Sequence, residues 1–259
     1  MLNHSQIKYL QSLHQKKFRR KYGVFVAEGE KIVSELLQSK FVTKEIYALE
    51  EWLHENRCKI PEGVSVLKAS NKDLERLSGL KTPNKALAVI KTPEQVEPDS
   101  ESSRFTLVLD RVQDPGNLGT IIRTADWFGI RQIVCSPDTA EVFSPKVVQA
   151  TMGSFLRVNV FYTDLVPFLE KAAKKLPILG AFLQGEEMFN IPTPEKGLLV
   201  IGNESKGISP DIATFVGKKI RITGGHQQGM TDAAESLNAS VAAGILMAWM
   251  TGGFRIQEL

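Results

Sequence analysis

The sequence predicts an α/β protein in two parts, the larger of which is built on a mostly parallel sheet. The stretch TPEQVEPDSESSR at 92–104 contains two prolines, three serines and four acids without apolar periodicity, as linkers do. On both sides of it, short apolar runs alternate with helix-length segments, and the later runs are typical of strands buried on both faces. We therefore expect a small α/β domain over 1–92, a linker over 93–104 and a larger domain over 105–259.

Each predicted element has its own local signal. Helix signals separate the strands of the larger domain, because Thr163 or Asp164 can cap LVPFLEKAAKKL and Pro210 stands where a helical turn would begin after Ser209. In the small domain the predicted strands are 24–27, 45–49, 64–67 and 86–90, with a helix over 31–38. In the larger domain they are 105–110, 132–136, 178–182, 198–202 and 218–222.

The composition excludes several classes of protein. With 42% hydrophobic and 24% charged residues over 259 positions, the chain is globular in composition and can bury a sizeable core. Cys58 and Cys135 have no CxxC or Cys/His spacing around them, which argues against a disulfide framework and a zinc site. No run of 18 apolar residues occurs, and the first residues are polar and basic. We therefore expect a cytoplasmic protein with reduced thiols, no metal and no membrane span.

Positive charge is concentrated near the start of the sequence, although the formal net charge is only +3. Seven positions from Lys8 to Lys21 are Lys, Arg or His. Such a run forms either a solvated helix face or a surface that contacts nucleic-acid phosphates. The candidate phosphate contacts are Lys16, Lys17, Arg19 and Arg20.

Three polar clusters follow or adjoin predicted strands, where open α/β sheets hold their ligands. The first, DRVQDPGNLGTIIRTA at 110–125, has a Pro-Gly-Asn turn and then a helix, and is either a tight connection or a backbone surface for an anion. Its Arg123 is either a surface residue or a guanidinium that binds a phosphate or carboxylate. Because the cluster is not GxGxxG, a nicotinamide or flavin site is not indicated.

The other two clusters leave similar alternatives open. In VIGNESKGI at 200–208, Glu204 is either an acid at a helix N-terminus or a carboxylate held near Arg123. In ESLNASVAAGILMAW at 235–249, Ser236 or Asn238 can cap a helix. Small residues in this helix favour a buried or dimeric position. The apolar residues predicted to share one of its faces are Leu237, Val241, Ile245 and Trp249.

The three clusters together resemble a known family. NLGTIIRTA, IGNESKGI and SLNASVAAGI, in this order and at these separations, resemble the motifs of the SpoU/TrmH family of RNA ribose 2′-O-methyltransferases. The resemblance covers 105–251, and VFVAEGEKIVSELL and LKTPNKALAVI resemble the ribosomal-protein-like substrate-binding domain of many members. It implies a parallel sheet with a C-terminal trefoil knot, a rare exception to unthreaded chains. It also implies a homodimer and S-adenosylmethionine bound in the knot.

The resemblance assigns roles to individual residues. A ribose hydroxyl reacts once its proton is removed or drawn off, whereas the sulfonium carries its own activation and needs no metal. Because arginine stays protonated, we expect Arg123 to grip a phosphate or Glu204 and stabilise the alkoxide, while a phosphate oxygen, water or Glu204 accepts the proton. The implied catalytic residues are Arg123, Asn117, Glu204, Ser236 and Asn238, and the implied cofactor contacts are Gly202, Ile222 and Leu237.

Two segments depart from the family pattern. The loop at 223–235 is longer and richer in glycine than the run that leads into the third motif in many members, which concerns the cofactor contacts. Asn84 and Lys85 stand where a Gln-Gly pair is frequent, which concerns the choice of substrate.

The sequence thus predicts an RNA (ribose-2′-O)-methyltransferase. Ribosomal RNA is favoured over transfer RNA, because members with such an N-terminal domain often act on the large ribosomal RNA. The alternatives are a tRNA 2′-O-methyltransferase, a catalytically silent RNA-binding relative and a nucleotide-binding enzyme unrelated to RNA. The presence of Arg123 and Asn238 weighs against a silent relative, and the missing phosphate-loop and dinucleotide fingerprints weigh against the last.

Overall fold

The computed structural model describes residues 2–79, 84–224 and 235–252. Most of the loop at 223–235 and part of LKTPNKALAVI lie outside these residues. The strands are β1 (Val24–Glu28), β2 (Thr43–Ala48), β3 (Ser65–Lys68), β4 (Ala86–Lys91), β5 (Phe105–Leu109), β6 (Gln132–Cys135), β7 (Asn159–Tyr162), β8 (Ile178–Glu187), β9 (Gly197–Ile201) and β10 (Lys218–Arg221). The α-helices are α1 (His4–Ser12), α2 (Lys16–Tyr22), α3 (Glu30–Leu36), α4 (Glu50–Asn56), α5 (Asn71–Leu77), α6 (Pro115–Trp127), α7 (Pro145–Ala150), α8 (Leu165–Ala173), α9 (Pro210–Ala213) and α10 (Ala239–Met250).

The chain forms two compact units. Unit 1 consists of Met1–Glu94 together with Glu141–Leu156, and unit 2 of Gln95–Ala140 and Arg157–Leu259. Unit 1 contains a four-stranded sheet in the order β1-β4-β2-β3, in which β4 runs antiparallel to both β1 and β2. The apolar face of α1 packs on this sheet. Leu10 of α1 and Leu13, which directly follows the helix, share a core with Tyr47 and Val89.

Residues 141–156 pack within unit 1, although the sequence prediction placed them in the later domain. Four aromatic rings from Phe25, Phe41, Phe143 and Phe155 form one cluster, in which the ring centroids of Phe25 and Phe143 are 4.4 Å apart. Aromatic pairs of this kind add about 0.5–1.5 kcal/mol beyond the area they bury. The segment is therefore an integral part of the unit 1 core.

Unit 2 is built on a six-stranded sheet in the order β10-β8-β9-β5-β6-β7, and every described pair of neighbouring strands is parallel. This confirms the predicted mostly parallel sheet. β5 and β9 are buried along their whole length, as their continuous apolar sequences indicated. The sequence analysis did not find β7, a short edge strand whose four residues are exposed or half-buried. The trefoil knot stays a prediction.

Local capping signals correctly located several helix starts. Asp164 caps α8 by accepting a hydrogen bond from the backbone N–H of Val166, and Pro210 occupies the first turn of α9. In the first motif, however, Pro115 already lies in the first turn of α6, with Asp114 as its N-cap. The predicted Pro-Gly-Asn turn is therefore the beginning of the helix itself.

The remaining whole-chain findings concern thiols, metals and membranes. Cys58 is exposed, Cys135 is buried, and both are free thiols. Within 2–79, 84–224 and 235–252, no cluster of three or more His, Cys, Asp or Glu side chains is arranged to hold a metal ion. None of the helices described here has the length and apolar character needed to cross a membrane.

Candidate active site

The carboxyl ends of β5 and β9 bring the first two motifs together. The strands are parallel neighbours in which Leu109 pairs with Ile201, so the segments that follow them leave the sheet side by side. The segment after β5 leads into α6, and the segment after β9 forms a loop at 202–209. Ligands of open α/β sheets bind at this edge.

Glu204 connects these two segments through both carboxylate oxygens. Its Oε1 accepts hydrogen bonds from the backbone N–H of Asp114, at 3.2 Å, and from Asn117 Nδ2, at 3.0 Å. Its Oε2 accepts from the backbone N–H of Gln113, at 3.4 Å, and from Asn203 Nδ2, at 3.2 Å. The carboxylate thus stabilises the start of α6, where a negative charge is favoured by the helix dipole.

These contacts also determine the ionisation of Glu204. Partial burial alone raises the pKa of the carboxyl group, because it penalises the charged form. The hydrogen bonds from the Asn117 side chain and from backbone N–H groups, including those of Asp114 and Gln113, outweigh burial and hold the pKa below its ordinary value. Glu204 is therefore an ionised anchor and a weak proton acceptor.

Asn117 extends the connection to the third motif. The Oδ1 atom of this buried side chain accepts a hydrogen bond of 2.9 Å from Asn238 Nδ2, while its Nδ2 donates to Glu204. Asn238 in turn is the N-cap of α10, since its Oδ1 accepts from the backbone N–H groups of Ser240 and Val241. One residue from each motif thus belongs to a single hydrogen-bonded chain, Asn238–Asn117–Glu204.

The loop after β9 folds back on the strand end. A Cβ atom on Gly202 would lie 2.2 Å from Gly207 C and from Ile208 N, so only glycine fits at this position. Asn203 and Gly207 exchange backbone hydrogen bonds of 3.0 and 2.9 Å, and Gly207 has a φ of +66°. Asn203 Oδ1 also accepts from the backbone N–H groups of Ser205 and Lys206, which closes a tight turn.

Arg123 and Ser236 do not take part in this hydrogen-bonded chain. Arg123 lies on an exposed position of α6 and Ser236 on an exposed position ahead of α10. In the part of the chain that the structure describes, Arg123 forms no ion pair with Glu204, so that of the two partners expected for Arg123 the phosphate stays a prediction. The oxygens of Glu204 are occupied by the start of α6 instead.

The three predicted cofactor contacts lie at the carboxyl edge of unit 2. Gly202 is buried at the end of β9, and Ile222 is half-buried directly after β10. Leu237, which is 48% exposed, precedes the Asn238 cap of α10. The parallel sheet brings Gly202 and Ile222 to the edge that carries Glu204, and the hydrogen bond from Asn238 to Asn117 holds the residue next to Leu237 there.

Sequence reasoning missed a second polar group, at the end of β5. Asp110 is buried, and its Oδ2 accepts a hydrogen bond of 2.6 Å from the backbone N–H of Ser209. Arg111 has a left-handed φ of +57°, a conformation that disfavours an ordinary side chain by about 1 kcal/mol or more. Its guanidinium Nε donates to Asp110 Oδ1 at 3.1 Å. The available signal was an Asp-Arg pair directly after a buried strand.

The basic residues of α2 divide into two groups in unit 1. Lys16, Lys17 and Arg20 are exposed. Arg19 is only 4% exposed: it pairs with Glu141 at 2.6 Å and donates to the carbonyl oxygens of Leu13 and His14. The prediction that Arg19 contacts RNA is therefore corrected, because its guanidinium is engaged inside the unit.

Comparisons with known proteins agree with this geometry. Residues 104–248 match the SpoU rRNA Methylase family, and residues 4–88 match the MRM3-like substrate binding domain. The Bacillus subtilis (strain 168) protein "23S rRNA (guanosine(2553)-2'-O)-methyltransferase RlmP" is 32% identical over 253 residues, which cover 95% of this chain and 96% of that protein.

Two solved structures extend the likeness to three dimensions. A TrmH-family protein from Porphyromonas gingivalis is 36% identical, with a TM-score of 0.85 over 96% of this chain and 98% of that chain. An AdoMet-bound rRNA methyltransferase from Sinorhizobium meliloti is 28% identical, with a TM-score of 0.85 over 99% and 97% of the two chains. With the family matched over more than half of its length and a relative aligned along nearly all of it, the chain belongs to the SpoU rRNA methylase family.

Proposed function

We propose that the protein transfers a methyl group from S-adenosylmethionine to a ribose 2′-hydroxyl of ribosomal RNA in the cytoplasm. The observation that carries this proposal is the chain Asn238–Asn117–Glu204, which connects the three motifs at the carboxyl edge of a parallel sheet. The name of the Bacillus relative, which acts on 23S rRNA, favours ribosomal RNA over transfer RNA. The same name favours the ribose over the base.

The residues at the carboxyl edge of unit 2 fit S-adenosylmethionine. Gly202 lets the main chain of Gly207 and Ile208 pack where any side chain would collide, and so fixes the loop at the end of β9 against which we place the cofactor. Half-buried Ile222 and exposed Leu237 offer apolar surface. When bound, the cofactor supplies a methyl group on a positively charged sulfonium, which needs no metal activation.

The protein's own residues then have separate tasks in methyl transfer. Arg123 remains cationic and holds a phosphate of the RNA or stabilises the developing alkoxide. Glu204 is a positioning residue, since both of its oxygens already accept two hydrogen bonds and its pKa is lowered. The proton of the ribose hydroxyl therefore goes to a phosphate oxygen or to water. We assign Ser236, which is exposed, to a contact with the RNA or the cofactor.

We propose that the exposed face of α2 in unit 1 contacts the RNA backbone. Lys17 and Arg20, three residues apart, share one face of the helix, and Lys16 is exposed beside them. The Lys17 ammonium also lies 4.8 Å from the centre of the Phe18 ring, which orients it. Three cations on one short helix can neutralise successive phosphates.

The active form that we propose is a homodimer joined through α6 and α10 of unit 2. An open, largely apolar groove of about 430 Å³ is lined by Thr120 and Thr124 of α6, by Phe128 directly after α6, and by Val241 and Ile245 of α10. Val241 is 49% exposed, and Trp127, which precedes Phe128 in the sequence, is 84% exposed. Large exposed apolar side chains in one patch are typical of subunit interfaces, and a second copy offers the same surface.

Mapping of 2′-O-methyl groups tests the function. Ribosomal and transfer RNA from cells with and without the protein are hydrolysed with alkali, which cleaves next to free 2′-hydroxyls and spares methylated ones. We expect one position in the large ribosomal RNA to lose its protection when the protein is absent, and to regain it with the purified protein and S-adenosylmethionine. Protection lost only in tRNA would correct the substrate, and unchanged RNA would overturn the proposed activity.

A further inference from the structure

Arg111 is held in a fixed position at the carboxyl edge of unit 2. Its backbone N–H donates to Ser136 Oγ at 2.9 Å, and its carbonyl oxygen accepts from Asn203 Nδ2 at 2.8 Å. These two bonds, from the ends of neighbouring segments, maintain the left-handed φ of +57°. Residues held in such sparsely populated conformations cluster at functional sites.

The guanidinium of Arg111 is anchored on one side only. Its Nε donates to Asp110 Oδ1, and Asp110 is itself fixed by the backbone N–H of Ser209. The side chain of Arg111 is 33% exposed, whereas that of Asp110 is 4% exposed. Among the residues the structure describes, neither Nη group of Arg111 has a hydrogen-bond partner. Four N–H donors therefore point away from the anchor in a fixed plane.

A structural role for Arg111 does not explain this arrangement. If only the turn mattered, glycine would adopt the same φ without strain, and Asp110 already accepts a backbone hydrogen bond on its other oxygen. A planar, pre-oriented guanidinium edge matches two oxygens of a phosphate. Arg111 also lies next to the hydrogen-bonded chain of the three motifs. Asn203 Nδ2 donates both to the carbonyl oxygen of Arg111 and to Glu204, which is a member of that chain.

We propose that Arg111 binds a backbone phosphate of the RNA substrate and so positions the strand that carries the target ribose. The inference rests on the proposed function, because it takes RNA as the ligand of this edge. The Nη groups of Arg111 are the contacting atoms, and Asp110 is a positioning residue that orients them.

The variant Arg111→Gly tests this role with the turn retained, because glycine favours the φ that arginine adopts under strain, and Arg111→Lys keeps a cation beside buried Asp110. RNA affinity, cofactor affinity and methyl transfer are measured on the full chain. We expect KM for RNA to rise about 10- to 100-fold, which is the usual effect of losing a charged hydrogen bond, with little change in kcat. The slope of log affinity against log salt concentration should fall by about one, and S-adenosylmethionine affinity should not change. Arg111→Lys should restore the slope and part of the affinity.

The matched control is Lys171→Ala, which removes one exposed positive charge from α8 of the same unit. It should leave both the affinity and the slope as in the wild type. Unchanged RNA affinity and slope in Arg111→Gly would overturn the inference. Loss of cofactor affinity instead would also overturn it, by assigning the guanidinium to the carboxylate of S-adenosylmethionine. Failure of the proposed function is read separately, as the absence of methyl transfer by the wild-type chain.

Discussion

Asn117 uses both halves of its amide group. It donates to Glu204 and accepts from Asn238, and a side chain of the same size without both a donor and an acceptor could not do so. The two bonds join residues that lie 87 and 121 positions apart from Asn117 along the chain. A single amide therefore bonds the first motif to both of the others.

The lowered pKa of Glu204 predicts a pH-dependent loss of stability. The folded carboxyl group has a lower pKa than the unfolded one, so its contribution to the free energy of unfolding is full above the unfolded value, about 4.3. It is lost as the pH falls from there towards the folded pKa. Denaturant unfolding at neutral and acidic pH should show a smaller acid-induced loss in Glu204→Gln than in the wild type.

Glu204→Gln should also be less stable at neutral pH, because its amide N–H₂ would face backbone donors. Ser205→Ala is the control, since only the backbone of this exposed residue is hydrogen-bonded to the turn. It should lose stability with acid as the wild type does. Parallel pH curves for Glu204→Gln and the wild type would show that Glu204 does not titrate as its contacts require.

Removing the Arg123 guanidinium should affect the transition state more than cofactor binding. We expect Arg123→Ala to reduce single-turnover methyl transfer by about 100-fold or more while the Kd for S-adenosylmethionine stays the same. Arg123→Lys should recover only part of the rate, since lysine keeps the charge but not the fork of donors. Methyl transfer by Arg123→Ala at nearly the wild-type rate would contradict the assignment.

Sequence motifs identified residue types better than they identified contacts. Asn117, Glu204 and Asn238 do converge, as the motifs indicated. Of the two partners predicted for Arg123, a phosphate stays a prediction, while the Glu204 oxygens accept from the backbone N–H groups just before α6. The burial of Arg19 depends on Glu141, which lies 122 residues away, and no local pattern reports such a pair.

At the scale of elements, the loop after β9 is the most constrained part of the site. Gly202→Ala would place a methyl group 2.2 Å from the main chain of Gly207 and Ile208, so the turn would have to open. We expect the free energy of unfolding to fall by about 1–3 kcal/mol, seen as a lower unfolding temperature. We also expect S-adenosylmethionine to bind at least about tenfold more weakly in titration calorimetry.

Ser205→Ala in the same loop serves as the comparison, because its exposed side chain can be shortened without touching the turn. Its cofactor affinity should match that of the wild type. Cofactor affinity that survives in Gly202→Ala would mean that the loop conformation is not part of the binding surface.

Strands that are buried on both faces were the easiest elements to predict. β5 and β9 are continuous apolar runs whose burial leaves one interpretation. β7 was missed because NVFY is a short edge strand, partly exposed and supported on one side by β6 alone. β8 continues to Glu187, beyond the predicted end, because its later residues pair with β10 and need no apolar pattern of their own.

At the scale of the whole molecule, the α2 cations should provide salt-sensitive RNA affinity without affecting the cofactor. Lys17→Glu/Arg20→Glu should bind RNA at least tenfold more weakly, with a smaller salt dependence, and S-adenosylmethionine as tightly as the wild type. The control Lys171→Glu/Lys174→Glu makes the same change in net charge at the C-terminal end of α8 and should keep more of the affinity. RNA affinity is measured by filter binding. If both variants lose the same affinity, the effect of the α2 substitutions is due to net charge alone.

Dimerisation through α6 and α10 predicts a change of mass on a single substitution. Val241→Glu would place a charge in the apolar groove and should convert a dimer to a monomer in light scattering. Val166→Glu, an exposed valine on α8, should leave the dimer intact. A wild-type chain that is monomeric at micromolar concentrations would rule out the proposed dimer.

The sequence did not show which segments of the chain form unit 1. The linker at 93–104 suggested a clean division, yet Glu141–Leu156 contributes two of the four clustered aromatic rings. The residues around Phe143 and Phe155 form no sequence pattern that predicts packing on Phe25 rather than on the parallel sheet, whose strands are closer in sequence. Only the three-dimensional contacts reveal the choice.

This discontinuity sets an order of events during synthesis. The ribosome adds roughly 5–20 residues per second, and N-terminal domains generally fold as they emerge. Phe25 is made early, but its ring partners Phe143 and Phe155 come more than a hundred residues later. The first unit must therefore wait, with part of its aromatic core exposed, until the chain has passed Leu156. Chaperone dependence during translation should accordingly be greatest in the interval between the linker and this segment.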